Sequence, residues 1–133
     1  MPIVNIDRFN QIKKKVAGLI ESLNIVNTYT DRYVETKDSR FAVVYFGEWT
    51  EEQSDLEETE VTGNLSIQIF ARNDDELSET AARIRPVLKE FEEWQDEHTT
   101  LTDFRPVGGE YLPEEAGIRP SMMLNYSVVF IDG

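Results

Sequence analysis

The chain has 133 residues, with 26 Asp and Glu against 13 Lys and Arg and a formal charge of −13; this length favours one core, and the acidity repels the phosphate backbone, which is bound chiefly by Lys and Arg displacing counterions. Hydrophobic residues make up 40%, enough for a core, while the longest uncharged stretch, at positions 120–131, is 12 residues, short of the roughly 18 to 20 that a membrane helix needs. The absence of Cys excludes disulfides, thiolate zinc sites and thiol nucleophiles, and the start MPIVNIDRFNQIKKK sets no charged segment before an apolar one as a secretory signal does, so a soluble chain made in a cytoplasm is expected.

Positions 6–23 carry apolar residues at Ile6, Phe9, Ile12, Val16, Leu19, Ile20 and Leu23. Spacings of three and four place them on one helix face, with Asn5 as a suitable N-cap and Asn24 as a suitable stop. Lys13, Lys14 and Lys15, the only run of three basic residues, read as a solvated face whose stems lie over the core, contact with an acidic neighbour being the alternative. The period then changes. Positions 28–35 (TYTDRYVE) read as a modest strand and Lys37, Asp38 and Ser39 as a turn. Positions 41–47 (FAVVYFG) are apolar at both parities, which suits a strand covered on both sides and makes them the best candidate for a central strand. Next, Val61, Leu65, Ile67 and Ile69 share one parity and Thr62, Asn64, Ser66 and Gln68 the other, the pattern of a strand with one buried face; Gly63 predicts a bulge or bend there.

From Asn73 the helical period returns. Asn73 and Glu76 form a capping-box pattern, Asp74 and Asp75 suit the positive helix start, and Leu77, Ala81, Ile84, Leu88 and Phe91 make a seam running to about Trp94. Pro86 lies inside it and predicts a kink near positions 82–86 rather than a break, because the seam keeps its phase across the proline. Positions 103–112 (DFRPVGGEYL) and 119–131 (RPSMMLNYSVVFI) flank a turn-rich segment at 113–117 and read as a hairpin. In the second of these strands Met122, Leu124, Tyr126, Val128 and Phe130 form one face. The first, with Pro106, Gly108 and Gly109, is expected to be irregular or an edge. The whole chain, 1–133, thus reads as a single α+β domain. It has a mixed or antiparallel sheet of about five strands packed by two helices, in the order α-β-β-β-α-β-β.

A search for chemistry returns little. The only histidine, His98, sits in the polar tail of the second helix and reads as a C-terminal dipole complement. With no Cys and one His the common nucleophilic triads are nearly eliminated. A two-carboxylate hydrolase needs burial and a shifted pKa, neither visible in a sequence, and no GxxxxGK[ST] or GxGxxG spacing supports nucleotide binding. No catalytic, cofactor-binding or metal-binding residue is therefore assigned. The densest feature is positions 48–60 (EWTEEQSDLEETE), seven acids in thirteen residues without a base. It is expected to be an extended hairpin loop or a frayed strand extension. It lacks the sixth-position glycine of a calcium loop. A solvated loop, weak Mg²⁺ binding and docking onto a basic partner all fit the charges; Trp49, costly to expose unless packed on the sheet or a partner, favours docking. Glu48, Trp49, Glu51, Glu52, Asp55, Glu57 and Glu58 are the candidate interaction residues.

Four segments, in their order and spacing, resemble the tail terminator family of long-tailed phages, the minor tail protein U type of lambda-like viruses. They are FAVVYFG leading into the acidic stretch, LSIQIFA at 65–71, ARIRPVL at 82–88 with its internal proline, and the closing MLNYSVVFID. The resemblance covers most of the chain and is weakest in the first 40 residues. It implies a structural virion protein without enzymatic activity, a homo-oligomer forming a hexameric ring. Such a ring caps the tail tube, ends its polymerisation and offers a surface to the head-completion protein. The implied partners are the tail-tube and head-completion proteins, with no sequence-specific nucleic acid and no membrane. The implied location is the virion tail, assembled in the host bacterial cytoplasm, and the acidic stretch corresponds in position to the family's long hairpin loop. No cofactor is implied.

Six copies at −13 each carry −78, a repulsion relieved by salt, by Mg²⁺ as an aid to ring assembly, or by a more basic docking surface. A competing reading of the same composition is a small acidic adaptor or nucleic-acid mimic that masks a basic partner surface.

Overall fold

In the computed structural model, which describes residues 6–30, 38–53, 58–94 and 99–132, the chain runs α1 (Asp7–Glu21), β1 (Asn27–Tyr29), β2 (Phe41–Gln53), β3 (Thr59–Phe70), α2 (Asp74–Val87), β4 (Thr99–Leu112) and β5 (Ser121–Asp132). A 3₁₀ segment, Leu88–Glu93, continues α2. This is the expected α+β order of two helices and five strands. The sheet is mixed, in the order β1-β2-β3-β5-β4, with β1 parallel to β2 and every other pair antiparallel. Among the described residues no helix is long and apolar enough to cross a membrane.

Both helices lie on one face of the sheet. From α1, Phe9, Ile12, Val16 and Ile20 are buried against Ala42 and Val44 of β2, the odd positions 61, 65, 67 and 69 of β3, and Leu124, Tyr126, Val128 and Phe130 of β5. Each such side chain stabilises by roughly 1.5 to 3 kcal/mol, and this periodic apolar stripe holds α1 in place. Asn24, at φ 57°, stops the chain just beyond α1, a left-handed conformation that Asn tolerates. The expected cap Asn5 lies outside the described residues. Lys13 Nζ donates to the Thr30 carbonyl (3.3 Å), while Lys14 and Lys15 are exposed.

The α2 start bears out half of the capping box. Glu76 N–H donates to Asn73 Oδ1 (2.9 Å), but the Glu76 carboxylate turns to Arg72, accepting from its backbone N–H (3.2 Å) and its guanidinium (2.6 Å). The seam Leu77, Ala81, Ile84, Leu88 and Phe91 is buried throughout. Helical pattern continues through Pro86 to Val87 and then tightens to 3₁₀, so the helix expected to reach about Trp94 finishes in the tighter form. The missing Pro86 N–H removes one rung of the α ladder just before that change.

β2 is an interior strand between β1 and β3, as the apolar run suggested, and β3 is the middle strand of the five. A run apolar at both parities reports cover on both faces, not rank in the sheet. In β2 that cover comes from the helices on one side and, on the other, from a small cluster of Phe41, Val43 and Tyr45 with Tyr29, Phe70 and Met123. Arg119 lies over the Phe41 ring at 5.6 Å and donates to the Asp38 and Ser39 carbonyls. β4 is an edge strand, as expected. Its ladder is interrupted between Leu101 and Asp103 and between Pro106 and Gly108, where proline lacks the donor and Gly108 takes φ 133°. The start of α2 ties down the β4–β5 turn, since the Tyr111 hydroxyl and Glu114 N–H both donate to Asp74 Oδ1. At the other end of the sheet Arg8 donates to Asp132 (3.0 Å).

Candidate functional site

The acidic stretch is a strand extension. β2 continues through Glu51, Glu52 and Gln53 opposite Val61, Glu60 and Thr59, and β3 remains paired with β5 as far as Thr59 and Asp132. A template strand therefore persists to Thr59, opposite Gln53, and β2 adds to it despite its charge. Glu52 faces Glu60 directly, a like-charge pair that disfavours pairing by a few tenths of a kcal/mol. Glu48, Glu51, Glu52 and Glu58 are exposed. Asp55 and Glu57 lie outside the described residues, as does His98.

The bend expected at Gly63 is a bulge in the strand facing it. Phe46 pairs with Leu65 and Trp49 with Gly63, so Gly47 and Glu48 together oppose Asn64 alone. The extra residue inverts the parity of β2. Without it Trp49 would follow Val43 and Tyr45 onto the face away from the helices. With it, the indole turns to the helical face and packs on Phe9 of α1, ring centroids 4.8 Å apart, next to the Phe9–Phe46 contact at 4.9 Å. Gly63 is closely packed in this arrangement: a Cβ there would stand 3.3 Å from the Phe46 ring, which would have to give by a few tenths of an ångström. Trp49 nevertheless remains 43% exposed, half anchored and half presented, with the exposed Glu51 two residues on along the same face.

A second surface lies at the opposite edge of the sheet, in the angle between the end of α2 and β4. There a groove of about 380 Å³ is floored by Phe104, Tyr126 and Leu88 and walled by Pro86 and Pro106, with Arg85, Lys89 and Glu92 at its rim. Phe104 and Tyr126 stack at 4.6 Å. Burial raises the Tyr126 pKa, a shift opposed by the hydrogen bond and positive charge of Arg85. Sequence reasoning missed this groove because it treated Pro86 only as a helix irregularity. The available signal was Arg85 and Lys89 four residues apart on one helix face, outside the buried seam.

No family model matches the chain, and no curated protein matches it either. Its function is therefore argued from its own residues.

Chemically, the two surfaces are suited to contact. Among the described residues no three His, Asp or Glu side chains converge as a metal site. Of the described carboxylates only Asp132 is buried, and Arg8 binds it. The lowered pKa of Glu76 comes first from its hydrogen bond with Arg72, a local pairing at a helix start.

Proposed function

We propose that the protein is a structural component of a phage tail that assembles into an oligomeric ring, caps the tail tube, ends its polymerisation and presents a surface for head joining. The observation that carries the reading is the acidic β2–β3 hairpin arm. Glu48, Glu51, Glu52, Glu60 and a tryptophan are placed on a sheet extension whose bulge keeps the indole fixed yet partly exposed. An aromatic anchor ringed by charge is suited to recognition of another protein surface. The resemblance in order of elements supplies the kind of partner: the tube protein below and the head-completion protein above. The role is mechanical and calls for no bound cofactor; Mg²⁺ assists by relieving repulsion among acidic subunits.

The test is sedimentation velocity of the purified chain across a salt and Mg²⁺ series. The expected result is a monomer at low ionic strength with chelator, giving way to one discrete oligomer of about six copies as Mg²⁺ or salt rises. A monomer under every condition would favour the acidic adaptor. A stable ring in low salt with chelator would refute the charge control of assembly.

A further inference from the structure

The arm and the groove are complementary in chemistry and lie on opposite edges of one sheet. The arm offers a half-exposed indole with the exposed Glu51 two residues on along the same strand face. The groove offers an aromatic and proline-lined floor beneath Arg85 and Lys89. With Glu92 also on the rim its charge is +1, two bases less one acid, in a chain that carries −13 overall. The two surfaces cannot meet within one chain. β3 and β5 stand between β2 and β4, a separation of about 14 Å from three strand spacings.

We propose that the Trp49 arm of one copy docks into the groove between α2 and β4 of the next, with Trp49 against Phe104, Pro106 and Pro86 and with Glu51, on the same face as the indole, toward Arg85 and Lys89. This rests on the reading of the chain as a ring former and names the contact that closes the ring. Because donor and acceptor surfaces differ, the interface is heterologous: each copy gives one arm and receives one, which generates a closed ring when the rotation between copies divides the circle. Contact pairs at the groove are partly desolvated and therefore less screened than the long-range repulsion between subunits. Salt that relieves the repulsion thus leaves the contact in place.

The experiment uses two charge-reversed variants of the full chain: an arm variant, Glu51→Lys, and a groove variant, Arg85→Glu with Lys89→Glu. All three side chains are exposed, and circular dichroism verifies that each variant is folded. Sedimentation is measured at the Mg²⁺ or salt concentration where the wild type assembles. Each variant alone is expected to lose assembly by at least about tenfold in concentration, the loss expected when close interfacial charge pairs are reversed. An equal mixture is expected to assemble again, because reversed arms meet reversed grooves and native arms meet native grooves in alternation. A misfolded variant could not produce that rescue. Wild-type-like assembly of either variant alone, or no rescue on mixing, would overturn the docking while leaving the ring reading intact. Failure of the wild type to assemble under any condition would overturn both.

Discussion

Replacing Trp49 by Ala tests the bulge and the packing that it directs. Trp49 is 43% exposed, so rather more than half of its surface is covered, chiefly by Phe9. Of the roughly 150 to 250 Å² that a large aromatic buries, that share is about 90 to 150 Å², or about 2 to 4 kcal/mol at about 25 cal/mol per Å². Because the unfolded chain already covers part of this area, the expected loss is about 2 to 3 kcal/mol. With an unfolding entropy of about 2.1 cal/mol/K per residue over 133 residues, the melting temperature should fall by about 7 to 11 °C. Trp49→Phe, which keeps a ring against Phe9, should lose about 1 kcal/mol. Glu52→Gln should change stability by under about 0.5 kcal/mol and, by relieving the opposition to Glu60, in the stabilising direction. The assay is thermal unfolding followed by circular dichroism at low ionic strength with chelator, where assembly adds nothing to stability. A shift below about 2 °C for Trp49→Ala would show that the indole is not anchored on α1, and the bulge would then have no such purpose.

Deleting Glu48 removes the extra residue and should return Trp49 to the face away from the helices; in a Trp94→Phe background its fluorescence should shift to the red, and an unchanged spectrum would contradict the parity argument. Gly109→Ala should destabilise by about 2 kcal/mol or more, since its Cβ would press on the backbone carbonyl of Met123; a melting temperature within 1 or 2 °C of wild type, taken as about 3 to 4 °C per kcal/mol, would show that β4 is not held in this register. The Glu76 carboxyl, held below its ordinary 4.5 by the hydrogen bond and charge of Arg72, contributes stability that is present above the unfolded pKa and lost as pH falls through the lower folded pKa. In Arg72→Ala an NMR titration should show Glu76 moving up toward its ordinary value, and no movement would remove Arg72 as the cause.

Much of the fold was legible because burial on one face writes a period into the sequence. The α1 seam from Phe9 onward, the α2 seam, the odd parity of β3 and the even parity of β5 pack as their spacing required, whereas Ile6, expected on the α1 face, precedes the helix and is exposed. The interior place of β2 agrees with expectation, but its neighbours in the sheet were not legible. Phe41, Val43 and Tyr45 are covered by a local cluster, so their apolar character carries no information on strand order. The bulge was half legible: Gly63 announced an irregularity, but the extra residue sits across the ladder, at Gly47 and Glu48, and shows itself only once the two strands are in register. At the site, Trp49 and the exposed acids were found from composition alone. Arg85, Lys89, Phe104 and Tyr126 were not, because a groove formed by α2 and β4 joins residues distant in the chain, and the spacing of Arg85 and Lys89 marks only one of its two walls.

The most direct measurement is electron microscopy of tail tubes grown from purified tube protein with this chain added during polymerisation. A ring at one end of each tube, with tube length fixed from the moment of addition, is the predicted result. Tubes that continue to lengthen with bare ends at assembling salt would contradict the proposal that this protein caps the tail.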